Sequence, residues 1–114
     1  MKRAEIWLIN LDPTLGAEIR KIRPAVIVND DAIGSLPLKV IVPITNWKNH
    51  YNIAPWMVKL EPTAQNGLNK TSSADTFQIR SLAQERFSKK IGMLSTEQMQ
   101  SLSIALATVL KITI

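Results

Sequence analysis

The sequence contains no cysteine and a single histidine, His50. The first absence excludes disulfides, thiolate nucleophiles and Cys-ligated zinc. A lone histidine argues against a His-based metal site and excludes a two-histidine ribonuclease mechanism. No apolar run is long enough to span a bilayer, and the N-terminus lacks the apolar region of a signal peptide. We therefore expect a cytoplasmic protein that uses no metal and no cofactor and does not contact a membrane.

Acidic residues are also few, with 9 Asp and Glu against 14 Lys and Arg, which gives a formal net charge of +5. A basic balance of this kind favours a polyanionic partner such as nucleic acid or an acidic polypeptide. The length of 114 residues and the hydrophobic fraction of 46% fit one globular domain over residues 1–114.

The apolar segments are short and rich in β-forming residues, and a proline lies inside one of them. Pro43 predicts that its strand is an edge strand or carries a bulge. A polar segment, 71–79, is a weaker strand candidate. Composition predicts strands at 5–11, 39–45, 56–60 and 87–94. The continuous apolar run at 25–28 predicts a further, buried strand.

The C-terminal segment has the pattern of an amphipathic helix. Ser95 followed by Gln98 forms a capping-box sequence, and apolar residues then recur at helical spacing to about Leu110. Several short strands followed by one helix predict a mostly β, α+β domain built on a small, twisted or partly closed barrel.

The most highly charged stretch runs from Leu11 to Pro24 and includes Glu18, Arg20, Lys21 and Arg23. Arg23 precedes a buried strand, where its guanidinium can form two parallel hydrogen bonds with a phosphate. The alternative is a surface salt bridge with Glu18, which the residues alone favour.

Thr45 ends another apolar strand, so its hydroxyl can point into a cleft. It can equally be an ordinary β-branched strand residue, and composition alone favours that reading. Glu18 is a candidate general base, but a nearby arginine stabilises its ionised form and weakens it as a base, so orienting Arg23 is the preferred role.

Further polar and aromatic residues can serve RNA binding. Cations can contact phosphates, and loop aromatics can stack on unpaired bases. The competing reading is a set of solvated charges and of aromatics that pack on the barrel. The candidates are Arg20, Lys21, Lys48 and Arg80 for phosphates and Trp47 and Tyr51 for stacking.

At this point four groups of residues together resemble the MazF/PemK toxins of type II toxin–antitoxin systems. The first group is the strand and turn at 5–14, EIWLINLDPT, and the second is the stretch GAEIRKIRPAVIV at 16–28. The third is VPIT at 42–45. The last comprises Gly67-Leu68, Ser72, Gln78-Ile79-Arg80 and Arg86-Phe87.

The resemblance implies an SH3-like, partly closed barrel of the PemK/CcdB type with a C-terminal helix, and a homodimer with an RNA groove along its interface. It implies metal-independent cleavage of single-stranded mRNA at short sequences, which inhibits translation and growth. The 2′-OH would attack the adjacent phosphate and leave 2′,3′-cyclic phosphate and 5′-OH ends. The catalytic positions fall on Arg23 and Thr45, with Glu18 auxiliary, and Gln78 joins the RNA-binding set. The implied protein partner is a MazE-like antitoxin with an acidic or amphipathic tail.

The sequence also departs from the family pattern. Ala4 and Glu5 stand in place of a usual Gly-Asp pair, Ile19 in place of a common Gln, and Ala83 in place of Asp. Two other functions remain open: a CcdB-like, non-catalytic toxin that binds DNA gyrase, and a barrel that binds RNA without cutting it.

Overall fold

A computed structural model describes residues 1–33 and 35–113. One antiparallel sheet has the strand order β4-β5-β3-β2-β1-β7, and β6 pairs with β3 beside this path. The elements in chain order are β1 (Glu5–Asn10), β2 (Ile22–Ile27), β3 (Leu38–Asn46), β4 (Met57–Leu60), β5 (Ser72–Asp75), β6 (Arg80–Ala83), β7 (Phe87–Met93) and α1 (Thr96–Leu110), with short 3₁₀ helices at Asn49–Ile53, Thr76–Gln78 and Gln84–Arg86.

The third strand is internal, so the prediction that Pro43 marks an edge strand is wrong. One side of β3 pairs with β2, where Pro43 lies opposite Ala25. On the other side, the first half of β3 pairs with β6 up to Ile41, and the second half pairs with β5 from Ile44 onwards. Pro43 therefore comes where β3 exchanges one neighbour for another, and its missing N–H is tolerated there.

The segment predicted as one weak strand over 71–79 is divided. Its first part forms β5, and Thr76–Gln78 turns into a 3₁₀ helix in which the Asp75 side chain accepts the N–H of Phe77. The following strand, β6, was not predicted. Only Leu82 of its four residues is buried, so its sequence carries little of the apolar signal that identifies a strand.

Both faces of the sheet are buried, as the continuous apolar run at 25–28 predicts. Val26 and Val28 face a core that includes Leu94, just before α1, and Met99 and Leu102 of α1 itself. Ala25 and Ile27 face the opposite side, in a second core with Ile9, Leu11, Ile41 and Leu82. This two-sided burial agrees with the mostly β, partly closed barrel predicted from sequence.

The capping box of α1 is confirmed. Ser95 Oγ accepts the N–H of Gln98 at 3.1 Å, and Gln98 Oε1 accepts the N–H of Ser95 at 3.0 Å. The helix ends at Leu110 and is capped by Lys111, whose backbone is left-handed with φ 54°. Among the helices in residues 1–33 and 35–113, none combines the length and the apolar character needed to cross a membrane.

The N-terminal departure from the family pattern has a structural consequence. Ala4 has a φ of 77°, a conformation that glycine adopts without cost, and its backbone bonds to Ile27 and Leu94. Glu5 is buried, a position that by itself raises the pKa of its carboxyl. Hydrogen bonds from Trp7, the Lys2 N–H and Lys90, with the N-terminal charge, outweigh burial and lower that pKa to about 2.

Candidate active site

Arg23 and Thr45 lie together on neighbouring strands. Ala25 faces Pro43 across the β2–β3 pair, and the same antiparallel register, followed for two more residues, brings Arg23 opposite Thr45. Both side chains are half-buried and line a cleft of about 200 Å³. We call this the arginine cleft; its polar lining residues are Arg23, Thr45, Asn46, Asn69, Lys70 and Ser72.

The local sequence explains why these two residues are well positioned. Pro24 has a fixed φ and follows Arg23 directly, and it pairs with Leu8 of β1. Thr45 pairs with Ser73 of β5 on its other side. The backbone at each position is therefore held by a neighbouring strand, and the side chains project from a rigid part of the sheet.

The chemistry of the arginine cleft suits an anion. Its lining contains two cations, Arg23 and Lys70, several hydroxyl and amide groups, and no carboxylate among the residues that the structure describes. Arg23 Nε donates to the carbonyl of Arg20 at 3.4 Å, and the guanidinium forms no ion pair within the described part of the chain. Its two terminal nitrogens can therefore bind a phosphate.

Glu18 does not lie in this cleft. Its Oε1 accepts the N–H of Leu15 within its own loop, and its side chain lines a separate cavity of about 390 Å³. The expectation that Glu18 orients Arg23 is not supported, because the Glu18 carboxylate binds the backbone of its own loop and does not line the cleft that contains Arg23. We call this second cavity the first-loop cleft; it is lined by Leu11, Glu18, Ile19, Pro43, Phe77, Gln78, Ile79 and Arg80.

Gln78 and Arg80, both predicted to bind RNA, line the first-loop cleft rather than the arginine cleft. The Gln78 side chain joins the first loop to β5, because its Oε1 accepts the N–H of Ile19 at 2.6 Å and its Nε2 donates to Asp75 Oδ2 at 3.0 Å. Burial raises the pKa of the Asp75 carboxyl, and the hydrogen bonds from Gln78 and Phe77 oppose this rise.

The predicted stacking residues contact each other. Trp47 and Tyr51 meet edge to face with centroids 5.7 Å apart, His50 packs on Tyr51 at 4.7 Å, and Lys59 Nζ lies 5.1 Å from the centre of the Trp47 ring. They form an aromatic cluster between β3 and β4, outside the arginine cleft as described.

The remaining predicted RNA contacts are solvent-exposed cations. Arg20, Lys21 and Lys48 all have exposed side chains, and none lines the arginine cleft among the described residues. The backbone of Lys21 closes the first loop, since its N–H donates to Asp12 Oδ1 at 3.0 Å and its carbonyl accepts the N–H of Leu11 at 3.0 Å.

Four polar residues of the arginine cleft were absent from the sequence-based site: Asn46, Asn69, Lys70 and Ser72. Asn69 and Lys70 directly follow Gly67-Leu68, which contributed to the family resemblance but was given no part in the site. The signal available in the sequence was a cation two residues before Ser72, but one sequence does not show which strand that segment pairs with.

The same chain is recognised by comparison with known proteins. A family model described as PemK-like, MazF-like toxin of type II toxin–antitoxin system matches residues 2–110. The chain belongs to this toxin family. The resemblance stated from its motifs is thereby confirmed.

Relatives of this toxin extend over nearly the whole chain. It is 36% identical over 112 residues to endoribonuclease MazF9 of Mycobacterium tuberculosis, covering 93% of this chain and 92% of that protein. It is 32% identical over 107 residues to endoribonuclease MazF of Staphylococcus saprophyticus, covering 93% of this chain and 88% of the relative.

Solved structures confirm the fold of the toxin. MazF from Deinococcus radiodurans superposes with a TM-score of 0.81 at 20% identity, covering 98% of this chain and 97% of that chain. An endoribonuclease in complex with its cognate antitoxin, from a mycobacterial species, superposes with a TM-score of 0.78 at 18% identity, covering 99% and 97%. The solved toxin structures therefore have the architecture that the resemblance implied for this chain.

Proposed function

We propose that this toxin is a metal-independent endoribonuclease that cleaves single-stranded mRNA at short sequences in the cytoplasm, with Arg23 and Thr45 at the reacting phosphate. The observation that carries the proposal is the pairing of these two side chains in a cleft that has a second cation and, among its described lining residues, no carboxylate. The names of the relatives, which are endoribonucleases, support the same activity.

The reaction uses a nucleophile that belongs to the substrate. The 2′-oxygen forms a bond to phosphorus while the bond to the 5′-oxygen breaks, so the products are a 2′,3′-cyclic phosphate and a 5′-OH. One proton leaves the 2′-OH and one reaches the departing 5′-oxygen. The enzyme aligns these atoms and stabilises the charge that develops on the non-bridging oxygens.

Arg23 and Thr45 divide this work. The guanidinium of Arg23 supplies a fixed positive charge and donors for the phosphoryl oxygens and for the leaving 5′-oxygen. The Thr45 hydroxyl donates to a phosphoryl oxygen and holds the phosphate against the sheet. Glu18 receives no part in proton transfer, because its carboxylate lies in the first-loop cleft and accepts a bond from its own loop.

The proposal includes two protein partners, a second copy of the chain and an antitoxin. Apolar surface for a second copy lies beside the edge strand β4, where Ile104 of α1 is 70% exposed. The net charge of +5 favours an antitoxin with an acidic or amphipathic tail, which would fold onto the RNA groove and exclude the substrate. One solved neighbour forms a complex with its cognate antitoxin.

The test is incubation of the purified protein with a long, mixed-sequence single-stranded RNA in EDTA, with mapping of the new ends. We expect discrete cuts, 5′-OH ends and cyclic phosphates, and no cuts by Arg23→Ala. Intact but retarded RNA would identify a binding module instead. Intact RNA together with inhibition of DNA gyrase would identify a CcdB-like poison.

A further inference from the structure

We propose that Lys70 is a further catalytic residue, which places a second positive charge on the scissile phosphate together with Arg23. The inference rests on the proposed endoribonuclease activity and deepens it. Lys70 comes from the loop between β4 and β5, far along the chain from Arg23, yet both residues line the arginine cleft.

The strand pairing explains this placement. Asn46 at the end of β3 lies opposite Ser72 at the start of β5. One step further out, the N–H of Trp47 donates to the carbonyl of Thr71 at 3.2 Å. Lys70 therefore lies two residues before β5, close to the end of β3 that carries Thr45, and it lines the arginine cleft.

The loop that carries Lys70 is built around a buried amide. Asn66 is fully buried, its Oδ1 accepts the N–H groups of Thr63 and Leu68 at 3.0 Å each, and its Nδ2 donates to the carbonyl of Glu61 at 2.9 Å. Satisfying a buried amide this fully fixes one loop conformation. Ser72 Oγ then donates to the carbonyl of Lys70 at 2.8 Å, so the Lys70 backbone is held from both directions.

The charges of the cleft are uncompensated by protein groups. Within residues 1–33 and 35–113, the ion pairs involve only Glu5, with the N-terminus and with Lys90. Lys70 and Arg23 are therefore both available to an anion. A phosphodiester carries one negative charge and gains charge as the 2′-oxygen attacks, so two fixed cations stabilise the transition state more than the bound substrate.

The two cations have different geometries. A guanidinium is planar and suits two phosphoryl oxygens at once, whereas an ammonium is a compact charge on a flexible stem. This predicts that Lys70→Arg retains much of the activity, because the charge is kept, and that Lys70→Ala does not.

The experiment compares Lys70→Ala, Lys70→Arg and Lys89→Ala, using a short single-stranded RNA that contains a site mapped with the wild-type protein. Lys89 is an exposed lysine of β7 that lines none of the described part of the arginine cleft, so its variant removes the same charge elsewhere. Single-turnover rates are measured over a range of protein concentrations in EDTA, and thermal unfolding checks the fold.

At saturating protein, Lys70→Ala should cleave about 10- to 100-fold more slowly. This is less than the roughly 10²- to 10³-fold loss typical of a rigid transition-state donor, because the lysine ammonium is carried on a flexible stem. Lys70→Arg should lie within several-fold of the wild type, and Lys89→Ala should match it. A Lys70→Ala variant that needs more protein but reaches the wild-type rate would overturn the proposal, because Lys70 would then be an ordinary backbone contact.

The two proposals fail differently. If the wild type leaves RNA intact, the proposed function fails and this inference fails with it. If the wild type cleaves, Arg23→Ala is inactive and Lys70→Ala equals Lys89→Ala, only the role of Lys70 is lost.

Discussion

The arginine cleft and the first-loop cleft both border β3, and they use their polar groups in opposite ways. The first-loop cleft is the larger, about 390 Å³ against about 200 Å³, and it contains Glu18, Gln78 and Arg80. Yet Glu18 and Gln78 are occupied by bonds that hold the first loop in place. In the arginine cleft, Arg23 and Lys70 form no ion pair within the described residues.

The difference teaches that size and residue type do not by themselves identify a reactive cleft. A polar group can act on a substrate only if the fold leaves its donors or acceptors available. Arg23 and Thr45 project into the arginine cleft from β2 and β3, which have neighbours on both sides, so backbone pairing rather than these two side chains supports that part of the cleft. The first-loop cleft has a loop as one wall and needs its side chains for support.

The largest effect is expected at the centre of the arginine cleft. Arg23→Ala should lower the cleavage rate by about 10³-fold or more and Thr45→Ala by about 10²-fold or more, because each removes a group that stabilises the transition state. Rates on mapped RNA sites measure this. Arg20→Ala is the control, since it removes a neighbouring exposed cation outside that cleft, and it should cost less than tenfold.

Neither Arg23 nor Thr45 is fully buried, so these variants should keep the wild-type free energy of unfolding to within about 1 kcal/mol. Substantial unfolding of Arg23→Ala or Thr45→Ala, or equal losses in Arg20→Ala, would mean that the cleft has been assigned wrongly.

The next effect concerns the loop that carries Lys70. A Cβ at Gly67 would lie 2.0 Å from the carbonyl oxygen of Ile91, and the residue has a φ of 69°. Gly67→Ala should therefore destabilise the protein by about 3 kcal/mol or more, because overpacking and a left-handed backbone add. Urea unfolding measures this free energy.

Gly16 provides a matched control in the first loop. It also has a positive φ, 54°, but a Cβ there would meet nothing within 4 Å. Gly16→Ala should cost only about 1 kcal/mol, the strain of the backbone alone. Equal losses in the two variants would show that the close approach at Gly67 is absorbed by the neighbouring strand.

The stability of the sheet can also be tested by its dependence on pH at Glu5, a residue that lines neither cleft. The pKa of Glu5 is lowered to about 2 from 4.5, because hydrogen bonds to the ionised carboxylate outweigh its burial. The folded-state pKa lies below the unfolded one, so Glu5 stabilises the fold fully above about pH 4.5, and this contribution is lost as the pH falls towards 2. At neutral pH it is worth about 3 kcal/mol.

Glu5→Gln should therefore unfold more easily than the wild type at pH 7, and the two free energies of unfolding should converge towards pH 2. Urea titrations at several pH values measure the difference. If the difference in free energy of unfolding between the wild type and Glu5→Gln stays constant with pH, the stabilisation does not come from ionisation of Glu5, and the prediction is wrong.

The sequence predicted the parts of the site that depend on local pattern. Arg23 lies just before one apolar run and Thr45 at the end of another, and the family resemblance identified them as the pair. The assignment of Glu18 to Arg23 followed from closeness along the chain, but the turn at Gly16 bends the loop so that Glu18 meets Leu15. Lys70 depends on a strand pairing that one sequence does not reveal.

The smallest effect on cleavage is expected at Gln78, in the first-loop cleft. Gln78 was predicted to bind RNA, but its side chain hydrogen-bonds to Ile19, Ala17 and Asp75, so its substitution tests whether the first-loop cleft is structural or binds substrate. Gln78→Ala should lower the free energy of unfolding by about 1–2 kcal/mol, as expected for lost partly buried hydrogen bonds. Its cleavage rate should fall less than tenfold, with the same cut sites, since the arginine cleft is intact. Gln100→Ala, an exposed position on α1, should change neither. If Gln78→Ala instead keeps full stability and cuts at new sequences, Gln78 reads bases, and the first-loop cleft belongs to the RNA-binding surface.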